Sequence, residues 1–77
     1  MFNPLILKVM YRFKLIAKQD MYQGKIKKGM IVYVVQEAAT NPDCKAIQNG
    51  WKNIGVDVPQ TCCQIGQYIM EREFVRK

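Results

Sequence analysis

The feature that most constrains the fold is a period-two alternation of side chains near the start of the chain. Four mainly apolar residues alternate with four residues of which three are basic: Tyr11, Phe13, Leu15 and Ala17 against Arg12, Lys14, Ile16 and Lys18. Successive side chains of a β-strand point to opposite faces, so one face of this segment is apolar and the other is basic. The segment is therefore predicted to be a half-buried strand with a basic outer face.

Two more strands are predicted to follow it. Residues 23–27 can form a short second strand, with Ile26 facing inward and Lys25 and Lys27 facing outward. A tight hairpin is expected next, in which Gly29 takes the positive φ of a G1 bulge. The segment 30–35 is β-branched and apolar on both faces, which predicts a central strand covered on both sides.

A single main helix is predicted after these strands. Asn41 is the expected N-cap and Pro42 the first helical residue. An apolar stripe at spacings of three and four is expected to be buried: Cys44, Ile47, Trp51 and Ile54. The segment 67–76 alternates better as a strand than it forms a helical stripe. The predicted fold class is therefore α+β, a small antiparallel β-sheet in the order β-β-β-α-β with one main helix packed on one face.

The length of 77 residues allows one domain. Residues 1–9 are interpreted as an N-terminal extension that is either disordered or an added strand, and residues 10–77 as a single small α+β domain. Met10 is an alternative start, because the patterned sequence begins directly after it.

Several short motifs resemble a known family. The segments 13–18, 28–35, 41–42 and 55–57 resemble, in order, a family of short bacterial proteins found in gut anaerobes and their mobile elements. The resemblance spans roughly residues 10–75, and both the residues before Met10 and the Cys62-Cys63 pair depart from the pattern. No activity is attributed to that family. The resemblance implies a bacterial cytoplasmic origin and gives no functional residue.

The net charge of +6 is concentrated in one part of the chain. Seven basic residues and one acidic residue lie between Lys8 and Lys28, while the remaining five basic and five acidic residues cancel. A clustered positive field attracts polyanions. The candidate nucleic-acid-binding residues are those of the predicted basic sheet face, with one tyrosine for base stacking: Arg12, Lys14, Lys18, Lys25, Lys27, Lys28 and Tyr33.

Residues suited to catalysis or metal binding are few. The chain has no histidine, and its five glycines stand singly, so neither an imidazole base nor a phosphate loop is available. Glu71 and Glu73 could form an acid–base pair, but a solvated strand face that balances nearby lysine and arginine is the favoured interpretation. The three cysteines lack zinc-site spacing and indicate free thiols in a reducing cytoplasm. We expect no enzyme, no catalytic residue, no cofactor and no metal.

Two functions follow from these observations. The first is a small non-enzymatic binding module that docks its basic sheet face onto nucleic acid. The second is a protein–protein interaction or self-assembly module, a homodimer in particular, in which the lysines serve solubility only. No membrane association is expected, because no apolar stretch approaches the roughly 20 residues of a spanning helix, and no small-molecule substrate is evident.

Overall fold

The computed structural model describes residues 9–76 and confirms the α+β class. Three strands form one antiparallel sheet in the order β2-β1-β3. One main helix and two single-turn 3-10 helices complete the chain: β1 Val9–Ala17, β2 Ile31–Gln36, α1 Cys44–Asn53, the 3-10 turns Gln60–Cys62 and Ile65–Gln67, and β3 Tyr68–Arg76. The predicted extension lies outside the described residues except for Val9, which is the first residue of β1.

The alternating segment at the start of the domain is the central strand. Phe13, Leu15 and Ala17 are buried, and β1 pairs along most of its length with both neighbours. The predicted half-buried strand is confirmed. The segment 67–76 is also a strand from Tyr68 onward, and Tyr68 faces the core while Ile69 is half exposed.

The second predicted strand, residues 23–27, does not form. Only a single bridge joins Met21 and Ile26. Three successive residues between them, Tyr22, Gln23 and Gly24, have positive φ angles of 52°, 56° and 84°, so the chain reverses too tightly for a ladder to propagate. The inward position predicted for Ile26 is correct, since its side chain is fully buried. The observed strand and helix order is β-β-α-β.

Gly29 forms the predicted G1 bulge, but opposite Ala17 of β1 and not in a tight hairpin with residues 23–27. Gly29 has a φ of 90°. Its N–H donates to the Ala17 carbonyl at 2.9 Å, and the Ala17 N–H donates to the Met30 carbonyl at 2.9 Å. Two residues thus oppose one, which is the arrangement of a bulge. It closes the long connection 18–30 and starts β2 in register with β1.

The prediction of a doubly covered central strand at residues 30–35 is wrong. Among the described residues, β2 pairs only with β1 and forms an edge of the sheet. Val32 and Val34 are buried, whereas Ile31, Tyr33 and Val35 remain 41%, 47% and 52% exposed. Because β2 is apolar on both faces, the side chains on its outward face form an exposed apolar strip along the strand.

The helix begins later than predicted. Asp43, not Asn41, is the N-cap, and its side chain accepts a hydrogen bond from the Ala46 N–H at 2.8 Å. Ile47 and Trp51 are buried as expected. Ile54 is 57% exposed instead, because the helix ends at Asn53 and the stripe ends with it.

A buried chain of hydrogen bonds ties the helix to the sheet. The Trp51 indole N–H donates to the Tyr68 hydroxyl at 2.8 Å, and that hydroxyl donates to the Cys62 carbonyl at 2.6 Å. All three residues belong to the hydrophobic core. Within residues 9–76, no helix has the length and apolar character needed to cross a bilayer.

Candidate interaction surface

The side of the sheet opposite α1 is left open by the described residues, and we call it the open face. The strand register places nine of its side chains in three rows that cross β2, β1 and β3 in turn: Val35–Arg12–Glu73, Tyr33–Lys14–Glu71 and Ile31–Ile16–Ile69. One row is apolar throughout, and the β2 side of the other two rows is also apolar. The charges occupy the centre and the β3 side.

The cations of the open face lie beside carboxylates. The Arg12 guanidinium bonds to the Glu73 carboxylate, with Nη2–Oε1 and Nε–Oε1 distances of 2.6 Å and 2.7 Å. Lys14 lies opposite Glu71 in the register. The face thus carries two positive and two negative side chains, and it is not the basic face expected from β1 alone. The favoured interpretation of Glu71 and Glu73, a strand face that balances lysine and arginine, fits this placement.

The four remaining candidate lysines lie elsewhere. They belong to the connection 18–30, which we call the lysine loop, at the end of the sheet where β1 finishes: Lys18, Lys25, Lys27 and Lys28, all exposed. Lys18 donates to the Gly66 carbonyl at 3.2 Å. Asp20, the acidic residue of the loop, accepts from the Lys28 backbone N–H at 2.8 Å. The structure therefore divides the predicted basic face into a neutral sheet surface and a basic loop.

Tyr33, the tyrosine predicted to stack on a base, is also separated from the lysine loop. Tyr33 is on the open face, but the Arg12 guanidinium lies over its ring, 5.1 Å from the centroid. Tyr22 is 45% exposed in the lysine loop. Tyr11 lies on the covered face of the sheet and packs against the core. On the open face Tyr33 lies opposite a single lysine, Lys14, whereas the other four candidate lysines share the loop with Tyr22.

The outer edge of β2 has backbone groups that face away from the sheet. In an antiparallel ladder every second pair exchanges hydrogen bonds. Ala17 of β1 bonds at the bulge, so the next bonded pairs are Leu15 with Val32 and Phe13 with Val34. The N–H and C=O groups of Tyr33 and Val35 consequently point to the free edge. Within residues 9–76, no backbone group of a turn, loop or cap forms a hydrogen bond with these outward groups.

A groove runs between this edge and the helix. Its walls are residues 33–36 of β2 and four residues of α1, namely Ala46, Asn49, Gly50 and Asn53, and it holds about 190 Å³. The helix approaches closely here, because a Cβ on Gly50 would lie 3.0 Å from the Tyr33 carbonyl oxygen. Sequence reasoning missed the groove. The available signal was a second helical stripe of small and amide residues at 46, 49, 50 and 53.

The three cysteines lie in or against the hydrophobic core. Cys62 and Cys63 are buried and Cys44 is partly buried. Burial, together with the neighbouring Cys62 and Cys44, raises the pKa of Cys63 from 9.0 to about 11, so its nucleophilic thiolate is scarce at neutral pH. No cluster of three metal-ligating side chains is found among the described residues.

The surface features that can recognise a partner are therefore the open face, the β2 edge with its groove, and the lysine loop. The first two offer apolar contact and backbone hydrogen bonds, and the third offers positive charge. Comparison of the chain with protein-family models, with curated proteins and with solved structures gives no match.

Proposed function

We propose that this protein is a cytoplasmic, non-enzymatic interaction module that binds another polypeptide through the open face of its sheet. The observation that carries the proposal is the set of large apolar side chains exposed together on that face. Ile31, Tyr33, Val35 and Ile69 are 41–52% exposed. Complete burial of one such side chain is worth roughly 1.5–3 kcal/mol. A partner that covers the exposed half of each side chain therefore gains about 1 kcal/mol of binding free energy per residue.

The charges of the open face favour a protein partner over a phosphate backbone. Glu71 and Glu73 lie directly beside Lys14 and Arg12. A phosphate that approached either cation would also approach a carboxylate, which removes the net attraction. Alternating charges beside an apolar row are typical of a protein interface, where rim charges set orientation and the apolar centre supplies affinity.

Site-specific photo-crosslinking in living cells tests the proposal. A photoreactive amino acid in place of Ile69 lies on the open face, whereas the same amino acid in place of the exposed Asp57 serves as the matched control. We expect a discrete polypeptide adduct from position 69 that is weak or missing from position 57. Equal labelling from both positions would show that the open face has no preferred partner.

A second candidate function, nucleic-acid binding, is supported by the lysine loop rather than by the sheet. The loop contains four exposed lysines and one acidic residue, and Tyr22 of the same loop is 45% exposed. Such a loop can contact a few phosphates while the tyrosine stacks on a base.

Anisotropy with random single- and double-stranded DNA and RNA tests this second function. Contacts from up to four lysines predict a log–log salt slope of roughly −2 to −4. Lys27→Glu should weaken binding strongly and Lys14→Glu should not, because only Lys27 belongs to the loop. A chain that shows no binding at low salt, where attraction is greatest, has no such function.

A further inference from the structure

We propose that the groove between β2 and α1 receives an extended segment of the partner polypeptide, which adds to the sheet as a fourth strand beside β2. This inference rests on the proposed function and names the chemistry of recognition. The occupant is an extended peptide with a small apolar side chain toward the groove and acidic residues beside it. Strand addition of this kind takes affinity from main-chain hydrogen bonds and specificity from alternate side chains.

The backbone geometry of β2 supports an extended partner. The outward N–H and C=O groups of Tyr33 and Val35 form a row to which another strand can bond. β2 itself, Ile31–Gln36, contains no lysine, glutamate, aspartate or proline. Natural edge strands usually carry such residues to prevent pairing, so their lack here marks an edge that is open to it.

The helix side of the groove suits alternate side chains of such a strand. Ala46 contributes only a small side chain to this wall, and the groove holds about 190 Å³. Asn49 and Asn53 also line the groove and supply amide groups that can donate and accept hydrogen bonds. One side chain of an added strand can therefore enter the groove, while its neighbours lie beside Tyr33 and Val35.

The position of α1 argues against a second copy as the occupant of this edge. A Cβ on Gly50 would lie 3.0 Å from both the Tyr33 carbonyl oxygen and Val32 Cγ2, so the helix lies directly against β2. Paired strands are about 4.8 Å apart. Two copies joined antiparallel through β2 would place both α1 helices on the same face above neighbouring strands, where they would compete for space because packed helix axes need roughly 8–10 Å between them. A segment without its own helix on that side avoids the clash.

The charge of α1 indicates the composition of the segment. Lys45 and Lys52 are exposed, and Cys44–Asn53 contains no acidic residue. They lie four residues before and three residues after Asn49, and therefore on its side of the helix. Acidic side chains that flank the buried position of the segment would meet these two lysines.

Peptide selection followed by hydrogen exchange tests the inference. A displayed library of random dodecapeptides is selected on the intact protein, and bound peptides are measured by anisotropy. We expect enriched peptides with alternating apolar residues and flanking acidic residues. They should slow exchange of the Tyr33 and Val35 amides by about tenfold or more, which corresponds to roughly 1.4 kcal/mol.

Three variants make the outcome specific. Val35→Pro removes an edge donor but no ladder bond, so peptide affinity should fall about tenfold. Val35→Thr keeps the N–H and the β-branched shape, so affinity should stay within roughly twofold. Ala46→Leu fills the groove from the helix and should lower peptide affinity at least as much as Val35→Pro, without any change to the backbone of β2.

The inference is overturned if selected peptides bind Val35→Pro and Ala46→Leu as tightly as the wild type. It is also overturned if no peptide is enriched, or if the free protein forms a dimer in which the edge amides of Tyr33 and Val35 are already protected. The photo-crosslink from position 69 is independent of the edge. An adduct there together with peptide binding that Val35→Pro does not weaken rejects strand addition and retains the proposed function. The absence of an adduct together with peptide binding that Val35→Pro does not weaken rejects both.

Discussion

Replacement of Tyr68 by phenylalanine isolates the buried polar link between helix and sheet. The hydroxyl accepts from the Trp51 indole at 2.8 Å and donates to the Cys62 carbonyl at 2.6 Å. Tyr68→Phe keeps the ring but leaves a buried donor and a buried acceptor without partners. Each unsatisfied group costs about 1–3 kcal/mol. With two such groups, we expect the free energy of unfolding to fall by about 2–6 kcal/mol.

That loss is large for a chain of this size. At roughly 0.05–0.15 kcal/mol per residue, 77 residues give a total free energy of unfolding of about 4–12 kcal/mol. The melting temperature of a domain this small shifts by about 4–8 °C per kcal/mol. Tyr68→Phe should accordingly lower it by roughly 10 °C or more.

Urea denaturation measures this loss through the fluorescence of Trp51, which is the only tryptophan. Tyr22→Phe is the matched control, because the Tyr22 side chain is 45% exposed, and it should change the free energy of unfolding by less than about 0.5 kcal/mol. The slope against urea should be the same in all three proteins. If Tyr68→Phe loses no more than Tyr22→Phe, the buried link does not contribute to stability and the reasoning is wrong.

Three further predictions concern the backbone and the pH dependence. Gly50→Ala should lower the free energy of unfolding by about 1 kcal/mol in urea titrations, because the clash of the new Cβ with β2 outweighs the gain in helix propensity. Gly66→Ala is the control, because the space around its Cβ is open. Gln23→Gly should raise the melting temperature by a few degrees, equivalent to about 0.5 kcal/mol, because Gln23 has a φ of 56°. Burial raises the pKa of Cys63 from 9.0 to about 11 and that of Tyr68 from 10.0 to about 12. The unfolded state therefore loses these protons first, and stability should fall from pH 9 upward, through about 11 for Cys63 and about 12 for Tyr68. Cys63→Ala should remove the loss of stability that begins near pH 9, and Tyr68→Phe the loss that begins near pH 10. A wild-type urea midpoint that does not change from pH 9 to pH 12 would contradict the raised pKa values.

The local elements of the fold could be predicted because their causes lie close together in sequence. The alternation around Phe13 and Leu15 requires a strand, and Gly29 supplies the φ that a bulge needs. Ile47 and Trp51 are spaced for one helix face. The errors at Asn41 and at residues 23–27 are also local, since an aspartate two residues later caps the helix and a left-handed turn replaces a strand.

The candidate surface could be predicted only in part, because it depends on which strands become neighbours. Arg12 and Lys14 are basic positions in β1, yet the residue that pairs with Arg12 is Glu73, 61 positions away. The same pairing order puts β2 at the edge instead of the centre. A surface assembled from three distant segments has a charge that no single segment shows.

The sequence by itself determined a strand with one apolar face, a bulge at Gly29, an amphipathic helix and an excess of lysine before residue 29, since each depends on short-range geometry or composition. Only the tertiary structure decided that the lysines separate from the sheet, that Glu71 and Glu73 neutralise its open face, and that a groove follows the β2 edge. The physical reason is that strand order and helix position minimise the free energy of the whole chain. Contacts between distant residues contribute to that minimum, and local patterns do not record them.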